Sequence, residues 1–126
     1  GTAHLALGAP GARVFGVDVD LSVFQAVTER NMFLWQGSSL EFADSIRTSE
    51  EKDRFRIDLL FVDSEHTATQ CLAEYHTYLP LMSKGGIILF DDIFMDGMTR
   101  AWLAIAEPKV ILPDLHAHLG FGAAIV

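Results

Sequence analysis

With 126 residues, half of them hydrophobic and 21% charged, the chain has the composition of one globular domain rather than a disordered polymer, and a core can form at this length without disulfides or a structural metal. Nine Lys and Arg against 17 Asp and Glu leave a formal net charge of −8, which argues against a nucleic-acid partner: the densest basic stretch, Lys52-Asp53-Arg54-Phe55-Arg56, is interrupted by an acid and follows Glu50-Glu51. Cys71 is alone, so there is no disulfide framework and no cysteine pair for zinc, and a reducing, cytoplasmic compartment is expected; apolar runs such as Gly86 to Phe90 fall far short of the ~20 residues of a membrane span, and Gly1 to Leu7 has neither the basic start nor the length of a secretion signal.

Short apolar runs rich in branched residues alternate with longer amphipathic stretches, which is the pattern of an α/β fold. In chain order, a strand is expected at Arg13 to Val19, a helix at Leu21 to Arg30, a strand at Met32 to Gln36 and a helix at Ser39 to Arg47. The polar stretch Arg47 to Arg56 reads as a surface loop, and Ile57 to Val62 as a strand apolar on consecutive positions, as strands covered on both faces are. The clearest helix is Thr67 to Leu79, where Cys71, Leu72, Tyr75, Tyr78 and Leu79 recur at spacings of three and four before Pro80. Lys84-Gly85-Gly86 is expected to turn into a strand at Gly86 to Phe90, followed by a helix at Met98 to Glu107 and strands at Val110 to Leu112 and Gly122 to Val126. The predicted architecture is a Rossmann-like open, mostly parallel sheet with helices on both faces and an antiparallel C-terminal edge.

Open parallel sheets bind ligands outside the carboxyl ends of their strands, which directs attention to Asp18-Val19-Asp20, Gly37-Ser38-Ser39, Asp63-Ser64-Glu65-His66 and Asp91-Asp92. A carboxylate at Asp18 can accept hydrogen bonds from both hydroxyls of a ribose, whereas Asp20, directly before a helix, suits a cap; capping by Asp18 is the alternative. Asp63, Asp91 and Asp92 would repel one another unless protonated or neutralised, and all-oxygen ligands suit a hard cation such as Mg²⁺; the alternative is one cap and one solvated acid. His66, three residues beyond Asp63, could act as a base near neutral pH. Phe94 and Met95 follow the acidic pair and are candidates to line an acceptor pocket. His76 reads as structural or exposed, His116 and His118 as loop residues, Trp35 and Trp102 as core or pocket wall, and Cys71 as buried and inert.

At these residues the sequence resembles the class I S-adenosylmethionine-dependent methyltransferases, in particular the small-molecule O-methyltransferases of catechol and caffeoyl-coenzyme A type. Val14-Phe15-Gly16-Val17-Asp18 is similar to the strand motif whose acid holds the cofactor ribose, and Trp35-Gln36-Gly37-Ser38-Ser39 to the motif whose polar residues approach the adenine. The most specific segments are Ile57 to His66 and Leu79 to Asp92. The resemblance implies S-adenosylmethionine as cofactor, with Gly1, Thr2, Asp18, Gly37, Ser38, Ser39 and Asp63 around it, and Mg²⁺ held by Asp63, Asp91 and Asp92. His66 falls where the catechol-type enzymes carry a catalytic lysine. Members of the family begin with a strand and a glycine-rich loop, whereas this sequence opens at Gly1-Thr2, at the far end of that loop, so residues 1–126 are expected to be one N-terminally incomplete methyltransferase domain.

The expected function is methyl transfer to an oxygen of a small-molecule acceptor, with Asp63 and His66 catalytic and no nucleic-acid or membrane partner. The alternative is a non-catalytic binding or assembly module of the same fold. Oligomeric state is open, a homo-oligomer being one outcome: apolar surface left where the first strand should lie favours dimerisation or aggregation.

Overall fold

The computed structural model describes residues 2–23, 29–63, 65–112 and 119–126. The chain divides into two compact units, Gly1–Ser49 and Glu50–Val126.

The first unit opens with a helix that sequence reasoning did not anticipate, α1 (Thr2–Gly8), followed by strand β1 (Val14–Asp18), a 3₁₀ turn (Leu21–Val23), strand β2 (Met32–Gln36) and helix α2 (Ser39–Thr48). The expected helix from Leu21 to Arg30 is described only as that opening turn; residues 24–28 lie outside the described residues. β1 and β2 pair in parallel, from Val14 against Met32 to Asp18 against Gln36. Phe15 stacks on Phe33 with ring centroids 5.3 Å apart, and Phe42 of α2 packs against Phe15 and Trp35 at 5.6 and 5.5 Å. This aromatic cluster, with Ala43 and Ile46 buried on the same helix, fixes α2 against the strand pair.

A different device secures α1. The Asn31 side-chain amide donates to the carbonyls of Ala6 (3.0 Å), Ala9 (3.0 Å) and Ala12 (3.1 Å), serving carbonyls of the helix end and of the connection into β1.

The second unit carries β3 (Ile57–Val62), α3 (Ala68–Tyr78), β4 (Met82–Phe90), α4 (Met98–Ala104), β5 (Lys109–Leu112) and β6 (Phe121–Ile125). Its sheet has the order β3-β4-β6-β5; β3 and β4 are parallel, and β6 is antiparallel to both β4 and β5. The fold is thus α/β with parallel and antiparallel ladders, and the antiparallel C-terminal edge is present. Among the described residues the strands form two sheets, β1-β2 and β3-β4-β6-β5, rather than the single one expected.

Two boundaries differ from expectation for local reasons. β4 starts at Met82, not Gly86: Ile57 pairs with Met82 and Leu59 already with Ile87, so the strand bulges where Gly85 adopts φ +80°, and Lys84-Gly85-Gly86 is a bulge within the strand rather than a turn before it. α4 stops at Ala104, short of Glu107, and Lys109 Nζ donates to the carbonyls of Trp102, Leu103 and Ile105 at 2.7, 3.2 and 2.7 Å, a cation placed at the negative end of the helix.

The core of this unit joins Val62, Ile88, Phe90 and Ala124 of the sheet to Cys71 and Tyr75 of α3 and Ala101 and Trp102 of α4. Fully burying a side chain of the size of Ile88 or Phe90 contributes about 1.5–3 kcal/mol, so these few residues dominate the cohesion of helices and sheet. Because side chains alternate along a strand, Leu59, Ile87 and Ile125, which are successive partners across β3, β4 and β6, occupy the opposite face and remain exposed.

Candidate functional site

The acids of the second unit are placed by its central parallel pair. Val62 and Phe90 are the last partners of β3 and β4, so Asp63 and Asp91 leave the sheet side by side, and the Asp91 N–H donates to the Val62 carbonyl at 3.1 Å. Asp92 then takes φ +53°, the one non-glycine residue with positive φ among those described. Its N–H donates to Asp91 Oδ1 at 2.9 Å and its carbonyl accepts from the Met95 N–H at 2.8 Å, two bonds that hold a conformation costing on the order of 1–3 kcal/mol.

That turn brings a carboxylate to an imidazole. His66 Nε2 lies 3.0 Å from Asp92 Oδ2 and 3.9 Å from Asp63 Oδ1. The nitrogen is buried and makes no aligned hydrogen bond, so the approach to Asp92 is a close contact at hydrogen-bonding distance but off its axis, and Nε2 retains capacity for another partner. Burial pushes the Asp91 carboxyl up; the charges of Asp92 and Asp63 add to the shift, while the Asp92 N–H and His66 oppose it. Asp63, His66, Asp91 and Asp92 therefore form one electrostatically coupled group.

The donor chemistry of this group suits a hard cation, but its arrangement does not: among the described residues no three His, Cys, Asp or Glu side chains are gathered as a metal cage, and His66 stands against two of the three carboxylates. Ser64 lies outside the described residues, as do His116 and His118.

In the first unit, Asp18 ends β1 and its Oδ1 accepts the Asp20 N–H at 2.9 Å, while Asp20 Oδ1 accepts the Ser22 N–H at 2.9 Å and so caps the 3₁₀ turn. The Ser22 side chain first, and then its backbone N–H, hold the Asp20 carboxyl below its ordinary value. Gly37 donates to the Asp18 carbonyl at 3.0 Å, joining the two strand ends, and a Cβ there would come within 2.9 Å of Trp35 Nε1, so only glycine fits beneath the indole. Ser38, expected near an adenine, is the N-cap of α2: its hydroxyl accepts the Glu41 N–H at 3.2 Å and its own N–H donates to Glu41 Oε2 at 2.9 Å. Hydrogen bonds from the Ser38 backbone N–H first, and then from its side chain, hold the Glu41 carboxyl below its ordinary value. Ser39 opens the helix; Thr2 opens α1, and Gly1 lies outside the described residues.

Residues 3–93 match the family model described as a methyltransferase domain, nearly three quarters of the chain. The chain belongs to this methyltransferase family. No curated protein matches it. Solved structures do: the methyltransferase domain resembles cofactor-bound Rv0187 from MTB, with 19% identity, a TM-score of 0.70, and coverage of 99% of this chain and 66% of that one. It also resembles an O-methyltransferase from Bacillus cereus in complex with SAH, with 20% identity, a TM-score of 0.57, and coverage of 75% and 50%. A third is MycE from the mycinamycin biosynthetic pathway in complex with Mg and SAH, with 15% identity, a TM-score of 0.63, and coverage of 96% and 40%. At these identities the likeness is one of fold, and the domain spans between two fifths and two thirds of the length of these three structures. No helix among the described residues is long and apolar enough to cross a membrane.

Two residues of structural weight were not singled out from the sequence. Asn31 carries no pattern that marks it, because its three acceptors come from α1 and the loop after it. Glu107 accepts the Tyr75 hydroxyl and ties α3 to the segment after α4, a pairing visible only once both helices lie on the sheet.

Proposed function

We propose that this methyltransferase domain transfers the methyl group of S-adenosylmethionine to an oxygen of a small-molecule acceptor. The observation that carries the reading is the buried, unsatisfied His66 Nε2 beside Asp92 at the end of β4, in a chain whose family is methyltransferase. The cofactor supplies an electrophilic methyl on a sulfonium sulfur. Asp18 accepts hydrogen bonds from ribose hydroxyls, with Gly37, Ser38 and Ser39 on the adenine side. His66 Nε2 takes the proton of the acceptor hydroxyl, and the Asp92 and Asp63 carboxylates stabilise the imidazolium so formed. The acceptor oxygen is thereby made nucleophilic as it reaches the methyl carbon. Mg²⁺, were it bound, would be held by Asp63, Asp91 and Asp92 and would supply Lewis-acid activation of the acceptor hydroxyl.

Calorimetric titration of SAH into the 126-residue chain, with Mg²⁺ and with EDTA, tests the cofactor part. Asp18→Ala is expected to weaken binding about 10- to 100-fold, the loss of hydrogen bonds to a charged acceptor. His66→Ala is expected to lower the rate of labelled methyl transfer about 10²- to 10⁴-fold with SAH affinity retained. A folded chain that binds no SAH in either buffer refutes the reading and leaves the non-catalytic module.

A further inference from the structure

Asp92 keeps its left-handed conformation, φ +53°, next to a residue that is pinned on every side. The Ile93 side chain is fully buried, its N–H donates to the Gly120 carbonyl at 3.2 Å, and its carbonyl accepts the Thr99 hydroxyl at 3.0 Å. Thr99 stands in the first turn of α4, and its own N–H donates to the Met95 carbonyl at 3.3 Å. The hydroxyl therefore closes a loop, residues 93–99, whose first residue adjoins Asp92 and whose last belongs to a helix anchored by buried Met98, Ala101 and Trp102. The same loop touches the other partner. A Cβ on Gly97 would stand 3.5 Å from the His66 carbonyl oxygen and 3.9 Å from Thr67 Cα, and Gly97 takes φ +92° there. His66 is itself confined: the Thr67 N–H donates to the Glu65 carbonyl at 2.7 Å, a three-residue turn centred on the histidine, and the Thr67 hydroxyl caps α3 by accepting the Gln70 N–H at 3.2 Å.

We infer that Thr99 is a positioning residue of the methyl-transfer site: its hydroxyl, by tying Ile93 to α4, holds the Asp92 carboxylate against His66. The inference rests on the methyl-transfer reading, in which His66 takes the acceptor proton. The Thr99 hydroxyl bonds to the main chain, so it acts through Asp92 and His66 rather than on the reacting groups. A residue in a sparsely populated backbone region relaxes when the contacts that over-determine it are removed. Rotation of Asp92 out of that region swings its carboxylate away from its 3.0 Å approach to His66 Nε2. A displacement of about 1 Å at a reacting group lowers a rate by on the order of 10²-fold, so one hydroxyl at the start of a helix has an effect larger than its own bond. Thr99 is exposed and lies outside the core cluster, so its replacement leaves the packing of the unit in place.

The test uses Thr99→Val, which keeps the branched shape and removes the hydroxyl, and Thr99→Ser, which keeps the hydroxyl. The first readout needs no turnover: at a single pH, the imidazole carbon–proton cross-peaks of His66 are expected to move in Thr99→Val and to return to their wild-type positions in Thr99→Ser, with those of exposed His76 unmoved. The second is labelled methyl transfer from S-adenosylmethionine to catechol as the probe acceptor. Thr99→Val is expected to lower kcat about 10- to 100-fold with KM and SAH affinity within about threefold, and Thr99→Ser to restore it. Combining Thr99→Val with His66→Ala should lower the rate no further than His66→Ala alone, because the hydroxyl acts through that imidazole. Unmoved His66 cross-peaks in Thr99→Val overturn the inference whatever the turnover. So do a loss carried by KM, a loss that Thr99→Ser does not restore, and losses that multiply in the double variant. Where no methyl reaches catechol, the cross-peaks alone decide whether Thr99 holds Asp92 against the imidazole; where the folded chain also binds no SAH, the methyl-transfer reading itself has failed.

Discussion

Replacing Asn31 by alanine isolates one side chain whose whole contribution is visible. The amide has two N–H groups and serves three carbonyls, those of Ala6, Ala9 and Ala12. Ala9 and Ala12 are exposed, and water can replace the lost donor there at little cost; Ala6 is 1% exposed, and its bond is the part-buried one of the three. Leaving a buried acceptor without a donor costs about 1–3 kcal/mol, and the two exposed bonds add at most about 1 kcal/mol between them, so a loss of about 1–4 kcal/mol is expected. All the partners lie within Gly1–Ser49, so native-state hydrogen exchange should speed up first in α1, β1 and β2, with the amides of β3 and β4 least affected. Urea denaturation followed by circular dichroism gives the total. A shift below about 0.5 kcal/mol, or exchange that accelerates equally in β4, would show that Asn31 does not hold α1 in place. Asn31→Asp sharpens the test, because a carboxylate would face three carbonyl oxygens. Its ionised form is disfavoured in the folded state, so this variant should lose further stability as pH rises through the carboxylate range and recover it in acid.

Two further outcomes follow from shifted ionisations in the second unit. The Asp91 carboxyl is raised above 3.8 by burial first, so its ionisation disfavours the folded state: the penalty is absent in strong acid, where folded and unfolded chains both hold the proton, and complete once pH exceeds the folded value. Asp91→Asn should therefore be more stable than wild type at pH 7, by less than about 1 kcal/mol given the partial exposure of the site, and equal to it near about pH 2; a gain that persists in acid would point to another cause. Burial pushes the Cys71 thiol from 9.0 to about 11, with the Glu74 charge adding to the shift, which leaves about 100-fold less thiolate at pH 8 than in the unfolded chain. Iodoacetamide at that pH is expected to alkylate the native protein at least about 100-fold more slowly than the urea-unfolded protein, and comparable rates would show that α3 does not shield the sulfur.

The strands were legible in the sequence because their apolar runs are short, branched and bounded by polar residues, and β1, β2 and β3 begin and end within a residue of expectation. Where glycine interrupts a run the reading failed: Gly85-Gly86 looks like a turn in one dimension, and only the pairing of Met82 with Ile57 shows that the strand continues through it as a bulge. α1 was invisible because a helix of seven residues shows barely two turns of periodicity, and its stability comes from Asn31, which follows it by many residues. The acids of the candidate site were legible for a topological reason, since the ends of β3 and β4 are neighbours in a parallel pair. What the sequence could not show was how those acids are used. Ser38 reads as a polar residue free to meet a ligand, yet its hydroxyl and N–H are both engaged with Glu41, and His66 reads as three residues from Asp63 although its close contact is with Asp92 on the next strand.

The small residues of the last strand bear on how its neighbours pack. Leu119 to Val126 contains two glycines and two alanines where a strand usually favours branched side chains. Gly120 leaves room for the Phe94 ring, and a Cβ on Gly122 would lie 2.7 Å from the Trp102 indole, so each glycine is matched to one aromatic ring. Trp102 in turn packs edge-on against Phe90, with centroids 5.9 Å apart, and Lys109 reaches over the indole at 5.3 Å while capping α4. Trp102 and Phe94 are thus each accommodated by a glycine, Gly122 within β6 and Gly120 directly before it, where β6 lies between β4 and β5. A larger side chain at Gly122 would disturb the packing of α4, and one at Gly120 would displace Phe94 beside Asp92. The last strand is thus poor in local β preference but well fitted to the rings packed beside it.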